Sequence, residues 1–257
     1  MPSWNSRLYL QFAAERTWPA RELAARLAVE NPRRVIDLGC GAGNSTAVLA
    51  ERWPEAELTG LDSSPEMLAT ARKDHPNWKW IEGDIASWKA DAPFDVVFSN
   101  AALQWVGEHR TLYPHLLGQV APGGALAVQV PANFDAPPHR LMRELGASPA
   151  WRGHFPSPPP EWHSEEPAFY YDVLAGKAAR LDIWTTEYQQ VMESVDAIVE
   201  WYQGTGLRPW LDALPSPAER NRFLADYRAL LAPAFPPRSD GRVLFPFRRL
   251  FVVAYKG

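Results

Sequence analysis

Residues 35–44, Val35-Ile36-Asp37-Leu38-Gly39-Cys40-Gly41-Ala42-Gly43-Asn44, run an apolar strand into a turn of three alternating glycines. Such a turn brings a ligand close to the backbone and points amides at it. The spacing is G-x-G-x-G, with Asn44 where a dinucleotide fingerprint needs its third glycine, and Asp37 stands two residues before the first glycine. A carboxylate there repels a pyrophosphate and attracts an ammonium, so the ligand is expected to be cationic near this turn. Asp62 follows Gly43 by 19 residues, where a carboxylate accepts both hydroxyls of a ribose. Taken alone it also reads as a cap for the next helix. Asp84 offers an acceptor for an adenine amino group and Ile85 an apolar side chain to pack on the ring. Asp84 alone could equally be a solvated turn residue. Ser99-Asn100 completes the set.

These residues share one position in the chain's organisation, the carboxyl ends of successive strands. Strands are expected at 33–38, 57–62, 78–82, 94–99 and 125–130, with helices at 44–53, from Ser63-Ser64-Pro65-Glu66 onward, and at 109–120. A capping serine, a first-turn proline and an early glutamate mark the second helix start. Apolar, β-branched strands alternating with helices predict a parallel sheet covered on both faces, an α/β Rossmann-like fold. Ligands of open α/β sheets lie at the carboxyl edge.

After Pro131 the pattern changes. Residues 131–167 hold nine prolines and several aromatics, an irregular excursion too apolar for a disordered linker. A strand is expected at 179–192 and helices at 195–202 and 217–231. Ser216 and Glu219 form a capping box at the start of the second. Residues 242–256 form a last strand, or a hairpin interrupted at Pro246. The expected organisation is a core at 1–133, a first lid insertion at 134–178, a core strand at 179–193, a helical lid at 194–240 and the last core strand or strands at 241–257.

Composition excludes several classes. The chain has 257 residues, 46% hydrophobic and 22% charged, with a net charge of −4, so no global pull toward nucleic acid exists. The one cysteine, Cys40, excludes an internal disulfide framework and a Cys-rich zinc site; inside the glycine turn it reads as a packing residue. The six histidines show no metal-binding spacing, and His109 and His115 are expected to face solvent. No metal is expected. No apolar run approaches a membrane span of about 20 residues, and the first 15 residues lack a signal peptide's apolar region. The expectation is a soluble cytoplasmic protein. The 12 tryptophans, 25 prolines and 21 arginines to 5 lysines read as an aromatic, guanidinium-rich surface or pocket.

Asp37-x-Gly39-x-Gly41-x-Gly43, Asp62, Gly83-Asp84-Ile85 and Phe94-Asp95-Val96-Val97 resemble the class I S-adenosylmethionine-dependent methyltransferases over about residues 30–130. That family has a mostly parallel seven-stranded sheet with an antiparallel last strand. A further resemblance runs along nearly the full chain. It rests on Trp4-Asn5 with Tyr9, Phe12, Arg16 and Pro19, on residues 99–105, on Gln129, Pro131 and Asn133, on residues 204–209, and on residues 245–249. These look like the trans-aconitate 2-methyltransferases, which methylate one carboxylate of trans-aconitate to a monomethyl ester.

The resemblance implies S-adenosyl-L-methionine as cofactor, leaving as S-adenosyl-L-homocysteine. It implies contacts at Asp37, Gly39, Gly41, Gly43, Asp62, Ser63, Asp84, Ile85 and Asn100, with an N-terminal helix closing over the cofactor and Tyr9 lying on it. Tyr9 is otherwise ordinary helix packing. A carboxylate acceptor is ionised at pH 7, its reference pKa being about 4, so no general base is required. Orientation, desolvation and charge handling remain. Guanidiniums grip carboxylates bidentately. Arg208, Arg249 and Arg16 are the candidates, with Arg7 beside them and Tyr202 as a hydrogen-bond donor. Arg208 also reads as a surface ion pair. Strand alternation sends Arg248 and Arg249 to opposite faces, so at most one reaches a site. Gln104 and Trp105 would position the reacting groups, Trp105 being either a wall or helix–sheet core. The implied partner is a small polycarboxylate, with no nucleic acid or membrane, for a monomer or weak homodimer. Another small acceptor, a nucleotide-dependent oxidoreductase and a silent cofactor-binding scaffold are the alternatives.

Overall fold

The computed structural model describes residues 13–157, 159 and 164–257. The chain divides into two compact units. One comprises residues 14–132, 163–186 and 249–257; the other comprises residues 1–13, 133–162 and 187–248.

The first unit is the α/β unit. In chain order it contains α1 (Ala13–Arg26), β1 (Arg34–Leu38), α2 (Asn44–Arg52), β2 (Glu57–Asp62), α3 (Pro65–Asp74), β3 (Lys79–Glu82), β4 (Phe94–Asn100), a 3₁₀ turn (Leu103–Trp105), α4 (His109–Gly118) and β5 (Val120–Pro131). After the excursion come α6 (Pro167–Leu174) and the start of β6 (Arg180–Met192), then the end of β7 (Val243–Tyr255). The sheet order is β3-β2-β1-β4-β5-β7-β6. β1 pairs in parallel with β2 and β4, and β4 with β5. β7 lies antiparallel on β5. The strand order reverses between β1 and β4, the crevice where open α/β sheets bind ligands. Ile36, Val97, Leu126, Val128 and Val252 are buried on these strands, as expected of a sheet covered on both faces.

Ser64 caps α3 as expected, accepting a hydrogen bond from the Met67 amide at 3.3 Å. His109 and His115 depart from the solvent-facing expectation. His109 is buried: Nε2 donates to the Leu103 carbonyl at 2.9 Å, which leaves Nδ1 to accept from the Tyr170 hydroxyl at 2.9 Å. The Tyr170 oxygen in turn accepts from the Glu165 amide at 3.1 Å. His115 is part-buried and bonds the Trp88 carbonyl at 2.7 Å.

The same bonds tie residues 165–170 to α4. Residues 164–178, which the sequence reading set in the first insertion, group with the α/β unit. Tyr170, Val173 and Leu174 of α6 are buried in the same core cluster as Leu112, Tyr113 and Leu116 of α4. Burying three large apolar side chains is worth several kcal/mol, which ties this segment to the core.

The second unit carries α5 (Pro137–Ala147), α7 (Val195–Gln203), α8 (Arg208–Asp212) and α9 (Pro217–Leu231), with the end of β6 and the start of β7. Ser216 caps α9: its Oγ accepts from the Glu219 amide at 3.2 Å and donates to the Glu219 carboxylate at 2.8 Å. The core of this unit is aromatic, with Trp151, Phe155, Trp201, Trp210, Phe223, Phe235, Phe245 and Phe247. Trp151 meets Phe223 edge-on at 5.0 Å, and Phe155 meets Trp210 likewise at 4.9 Å. The Trp151 indole N–H finds a carboxylate, Asp226, at 2.8 Å. Trp151, Trp201 and Trp210 are therefore core residues rather than surface or pocket. β7 is one continuous strand, not a hairpin, since Val243, Phe245 and Phe247 alternate into this core on either side of Pro246.

Among the described residues no helix is long and apolar enough to cross a membrane. No group of three or more His, Cys, Asp or Glu among them is arranged to hold a metal ion.

Candidate functional site

The glycine turn is held from below. Gly39, Gly41 and Gly43 adopt φ of 74°, 55° and 95°, backbone that side-chain-bearing residues rarely take. The Gly39 and Cys40 amides donate to the Leu61 carbonyl at 2.7 and 3.1 Å, tying the turn to the end of β2. A Cβ at Gly39 would collide with Ala102 Cβ and come within 3.6 Å of Ile85 Cδ1. A Cβ at Gly43 would lie 2.9 Å from the Trp80 ring. At Gly41 it would meet nothing within 4 Å among the described residues. The first and third glycines thus serve packing, and the second presents open backbone. Cys40 is buried, and burial pushes its thiol pKa up, consistent with a packing role.

Asp37 is fully buried beneath this turn. Its Oδ2 accepts from Ser45 Oγ at 2.6 Å and Thr46 Oγ1 at 2.7 Å, both in the first turn of α2. Burial raises its pKa to about 6, against the two hydroxyls, which pull it down. Its Oδ1 has no hydrogen-bond partner among the described residues. Asp62 is half-buried and spans the turn: Oδ2 accepts from the Gly41 amide and Oδ1 from the Ser64 amide, both at 2.8 Å. The helix-cap reading of Asp62 does not hold, because Ser64 caps α3 and Asp62 holds only the amide of that cap residue; each carboxylate oxygen keeps a further lone pair for a ligand. Ser63 beside it is exposed. Asp84 is exposed, with Oδ1 accepting from the Ala86 amide at 2.9 Å, while Ile85 is buried against the glycine turn.

At the end of β4, Ser99 Oγ donates to the Leu38 carbonyl at 2.8 Å, closing the gap between β4 and β1 at the switch point. Asn100 follows, half-buried and opposite Gln129 of β5. Ala101 then adopts φ 54°, an uncommon conformation for a residue with a side chain. Two bonds over-determine it: its amide donates to the Gln129 carbonyl at 2.9 Å, and its carbonyl accepts from Gln104 Nε2 at 2.7 Å. Gln104 is therefore folded back and 2% exposed, and its Oε1 finds no partner among the described residues. Trp105 is 43% exposed, which removes the helix–sheet core reading.

Arg249 is the inward member of its pair. Only 2% exposed, it stands opposite Pro131 in the β5–β7 register and donates from Nη1 to Gln129 Oε1 at 3.3 Å. Arg248 is half-buried.

The α/β unit thus brings together Asp37, the three glycines, Asp62, Ser63, Asp84, Ile85, Asn100, Gln104, Trp105 and Arg249. Tyr202 and Arg208 belong to the other unit. Tyr202 is 1% exposed, and its hydroxyl accepts from Asn133 Nδ2 at 3.1 Å. The neighbouring His139 ring meets Tyr202 edge-on at 5.1 Å, and burial lowers its pKa to about 4, so it is neutral at pH 7. Arg208 begins α8 and lies 3.7 Å from Asp212, one helical turn on. Tyr9, Arg7 and the Arg16 side chain lie outside the described residues.

Two contributors escaped the reading of single residues. Ala102 shapes the site by meeting Gly39, a tertiary contact with no sequence signal. Gln129 had a signal: an uncharged polar residue inside the buried apolar run Ala125–Val130.

The family described as "Methyltransferase domain" matches residues 35–124. Relatives extend the similarity to the whole chain. The trans-aconitate 2-methyltransferase of Azoarcus sp. (strain BH72) is 49% identical over 256 residues, covering 100% of both chains. That of Escherichia coli O1:K1 / APEC is 46% identical over 258 residues, covering 99% of this chain and 98% of the relative. Among solved structures, the YcgJ protein from Bacillus subtilis superposes with a TM-score of 0.59 at 15% identity, covering 93% of this chain and 98% of its own. The N-methyltransferase NodS from Bradyrhizobium japonicum WM9, solved with S-adenosyl-L-homocysteine, gives 0.53 at 16% identity, covering 95% and 87%. At such identities these likenesses concern the fold.

Proposed function

The chain belongs to the trans-aconitate 2-methyltransferases, and from that premise we propose that it methylates one carboxylate of trans-aconitate, giving the monomethyl ester and S-adenosylhomocysteine. The observation that carries this reading is identity of 46–49% running end to end with relatives of that name, through both units and not only the cofactor domain.

The residues at the carboxyl edge fit S-adenosylmethionine. Gly41 offers open backbone, Asp62 offers carboxylate lone pairs for a ribose, and Asn100 stands at the end of β4 beside the switch point. Asp84 and Ile85 are assigned to the adenine, and Asp37, Ser63 and Tyr9 complete the proposed cofactor set. When bound, the cofactor would supply an activated methyl group on its sulfonium, for transfer to a carboxylate oxygen of the acceptor with S-adenosylhomocysteine as the leaving group. The chain's own residues need not remove a proton, because the acceptor carboxylate is already ionised at neutral pH. Their work is to orient the acceptor, exclude water and balance its charge. Arg249 is assigned to a substrate carboxylate, its burial strengthening the interaction by keeping water away. Arg208, Arg16 and Tyr202 are assigned carboxylate contacts on the sequence resemblance, and Gln104 and Trp105 the positioning of the reacting groups. The acceptor is a small polyanion, and the net charge of −4 gives no global pull toward nucleic acid.

The test is a screen of di- and tricarboxylic acids at saturating S-adenosylmethionine, following S-adenosylhomocysteine by mass. Trans-aconitate is expected to give the highest kcat/KM, and absence of product from every polycarboxylate rejects the reading. Arg208→Ala is expected to raise the KM for trans-aconitate by about tenfold, the loss of one hydrogen bond to a charged group. Its dissociation constant for S-adenosylhomocysteine, measured by calorimetry, should stay at the wild-type value.

A further inference from the structure

Gln129 is fully buried in β5, and its two carboxamide atoms have different surroundings. Oε1 accepts from Arg249 Nη1 at 3.3 Å, whereas Nε2 has no hydrogen-bond partner among the described residues. Arg249 decides this orientation, because a guanidinium only donates and would face two like donors if the amide were reversed. Gln129 stands opposite Asn100 on one side and Phe251 on the other, while Arg249 stands opposite Pro131. Strand alternation therefore sets Gln129, Phe251 and Arg249 on one face of the sheet, at the carboxyl edge of β4 and β5. Phe251 is covered by the Trp184 ring, parallel to it at a centroid distance of 4.8 Å, so the surroundings are apolar on that side. A buried amide N–H without an acceptor is rare and calls for an explanation.

We propose that Gln129 Nε2 and the Arg249 guanidinium together form a carboxylate subsite, with Gln129 both aiming the guanidinium and donating to the same substrate carboxylate. This rests on the polycarboxylate reading and adds a residue to it. The neutral amide is essential: it holds the guanidinium without cancelling its charge, which a glutamate at 129 would do. A carboxylate held there spends its lone pairs on N–H donors and loses nucleophilicity, so the carboxylate that receives the methyl is a different one.

Gln129→Glu supplies an internal carboxylate to Arg249 that competes with the substrate. Its KM for trans-aconitate is expected to rise by about 100-fold, as for a buried charge pair lost to the ligand. Its affinity for S-adenosylhomocysteine should remain at the wild-type value by calorimetry. Gln129→Met, close in volume, keeps the packing and loses the donor; a rise in KM of about tenfold is expected. A third readout needs no substitution. With S-adenosylhomocysteine bound, the Gln129 side-chain amide resonances of the wild-type protein should move downfield on addition of trans-aconitate. The inference is overturned by a wild-type KM in either folded variant, by a parallel loss of S-adenosylhomocysteine affinity, or by an unmoved amide resonance under saturating trans-aconitate. If the wild-type protein turns over no polycarboxylate, the functional reading itself fails, and the kinetic arms separate the two cases.

Discussion

Gly39→Ala is expected to cost several kcal/mol of stability, whereas Gly41→Ala costs less and weakens ligand binding. At Gly39 a methyl collides with Ala102 Cβ, and the backbone sits at φ 74°. Overpacking costs about 1–3 kcal/mol, and left-handed backbone adds about 1–2 kcal/mol for a residue with a Cβ. At about 2–4 °C per kcal/mol for a chain of this size, Tm should fall by roughly 10 °C. The neighbour has little room to give, since Ala102 directly follows Ala101, whose own left-handed backbone is held by Gln129 and Gln104. At Gly41 the methyl meets no atom of the described residues within 4 Å, which leaves the backbone term, about 1–2 kcal/mol. The added group projects into open space beside Asp62, the side proposed for the cofactor. S-Adenosylhomocysteine affinity should therefore fall by about tenfold or more, equivalent to about 1.4 kcal/mol. Differential scanning calorimetry and titration on the same two proteins test the pair. Equal thermal losses in both would reject the division of roles between the glycines.

Asp37→Asn is expected to stabilise the protein at neutral pH and to weaken the cofactor. In the folded chain, burial raises the Asp37 pKa from 3.8 to about 6. The folded state therefore binds more protons than the unfolded state between those values, and wild-type stability falls as pH rises through that window. The full difference is about 3 kcal/mol, at 1.36 kcal/mol for each pKa unit. Asparagine presents an oxygen to Ser45 and Thr46 with no charge to bury. Its amide nitrogen occupies the place of Oδ1, where no partner is found among the described residues, which returns about 1–3 kcal/mol. The net gain at pH 7.5 should be up to about 2 kcal/mol, with the slope between pH 4 and 6 flattened. Binding should move the opposite way. A carboxylate beneath the glycine turn attracts an ammonium only when ionised, so wild-type affinity for S-adenosylhomocysteine should rise through about pH 6. The variant should bind about tenfold more weakly and without that dependence. Urea titrations and calorimetry from pH 4 to 8 measure both, and a wild-type affinity constant across that range would remove Asp37 from the ammonium's surroundings.

Legibility of the site followed sequence distance. Asp37, Gly39, Gly41 and Gly43 lie within seven consecutive residues, and their chemistry is that of a strand entering a turn, which local rules describe. Asp62 and Asn100 stood out because they end β2 and β4, and Asp84 because it follows β3 by two residues; parallel α/β sheets collect such strand ends on one edge. Ser64 and Ser216 were legible as helix caps for the same local reason.

What the sequence could not decide were contacts between residues far apart in the chain. His109 lies on a short helix with polar neighbours, and nothing local shows that Tyr170, 61 residues later, takes its inner nitrogen. The core positions of Tyr170, Val173 and Leu174 follow from that same packing. Trp105 looked as much like core as like wall until the 3₁₀ turn set it outward. Strand alternation limited Arg248 and Arg249 to opposite faces, but only the β5–β7 register chose Arg249 for the interior and gave it Gln129, 120 residues earlier, as its partner. The sequence by itself determined the fold class, the glycine turn and its acidic neighbours, because turn sterics, capping and strand periodicity act over a few residues. The tertiary structure decided which guanidinium and which amide are buried together, because burial depends on what the rest of the chain packs against them.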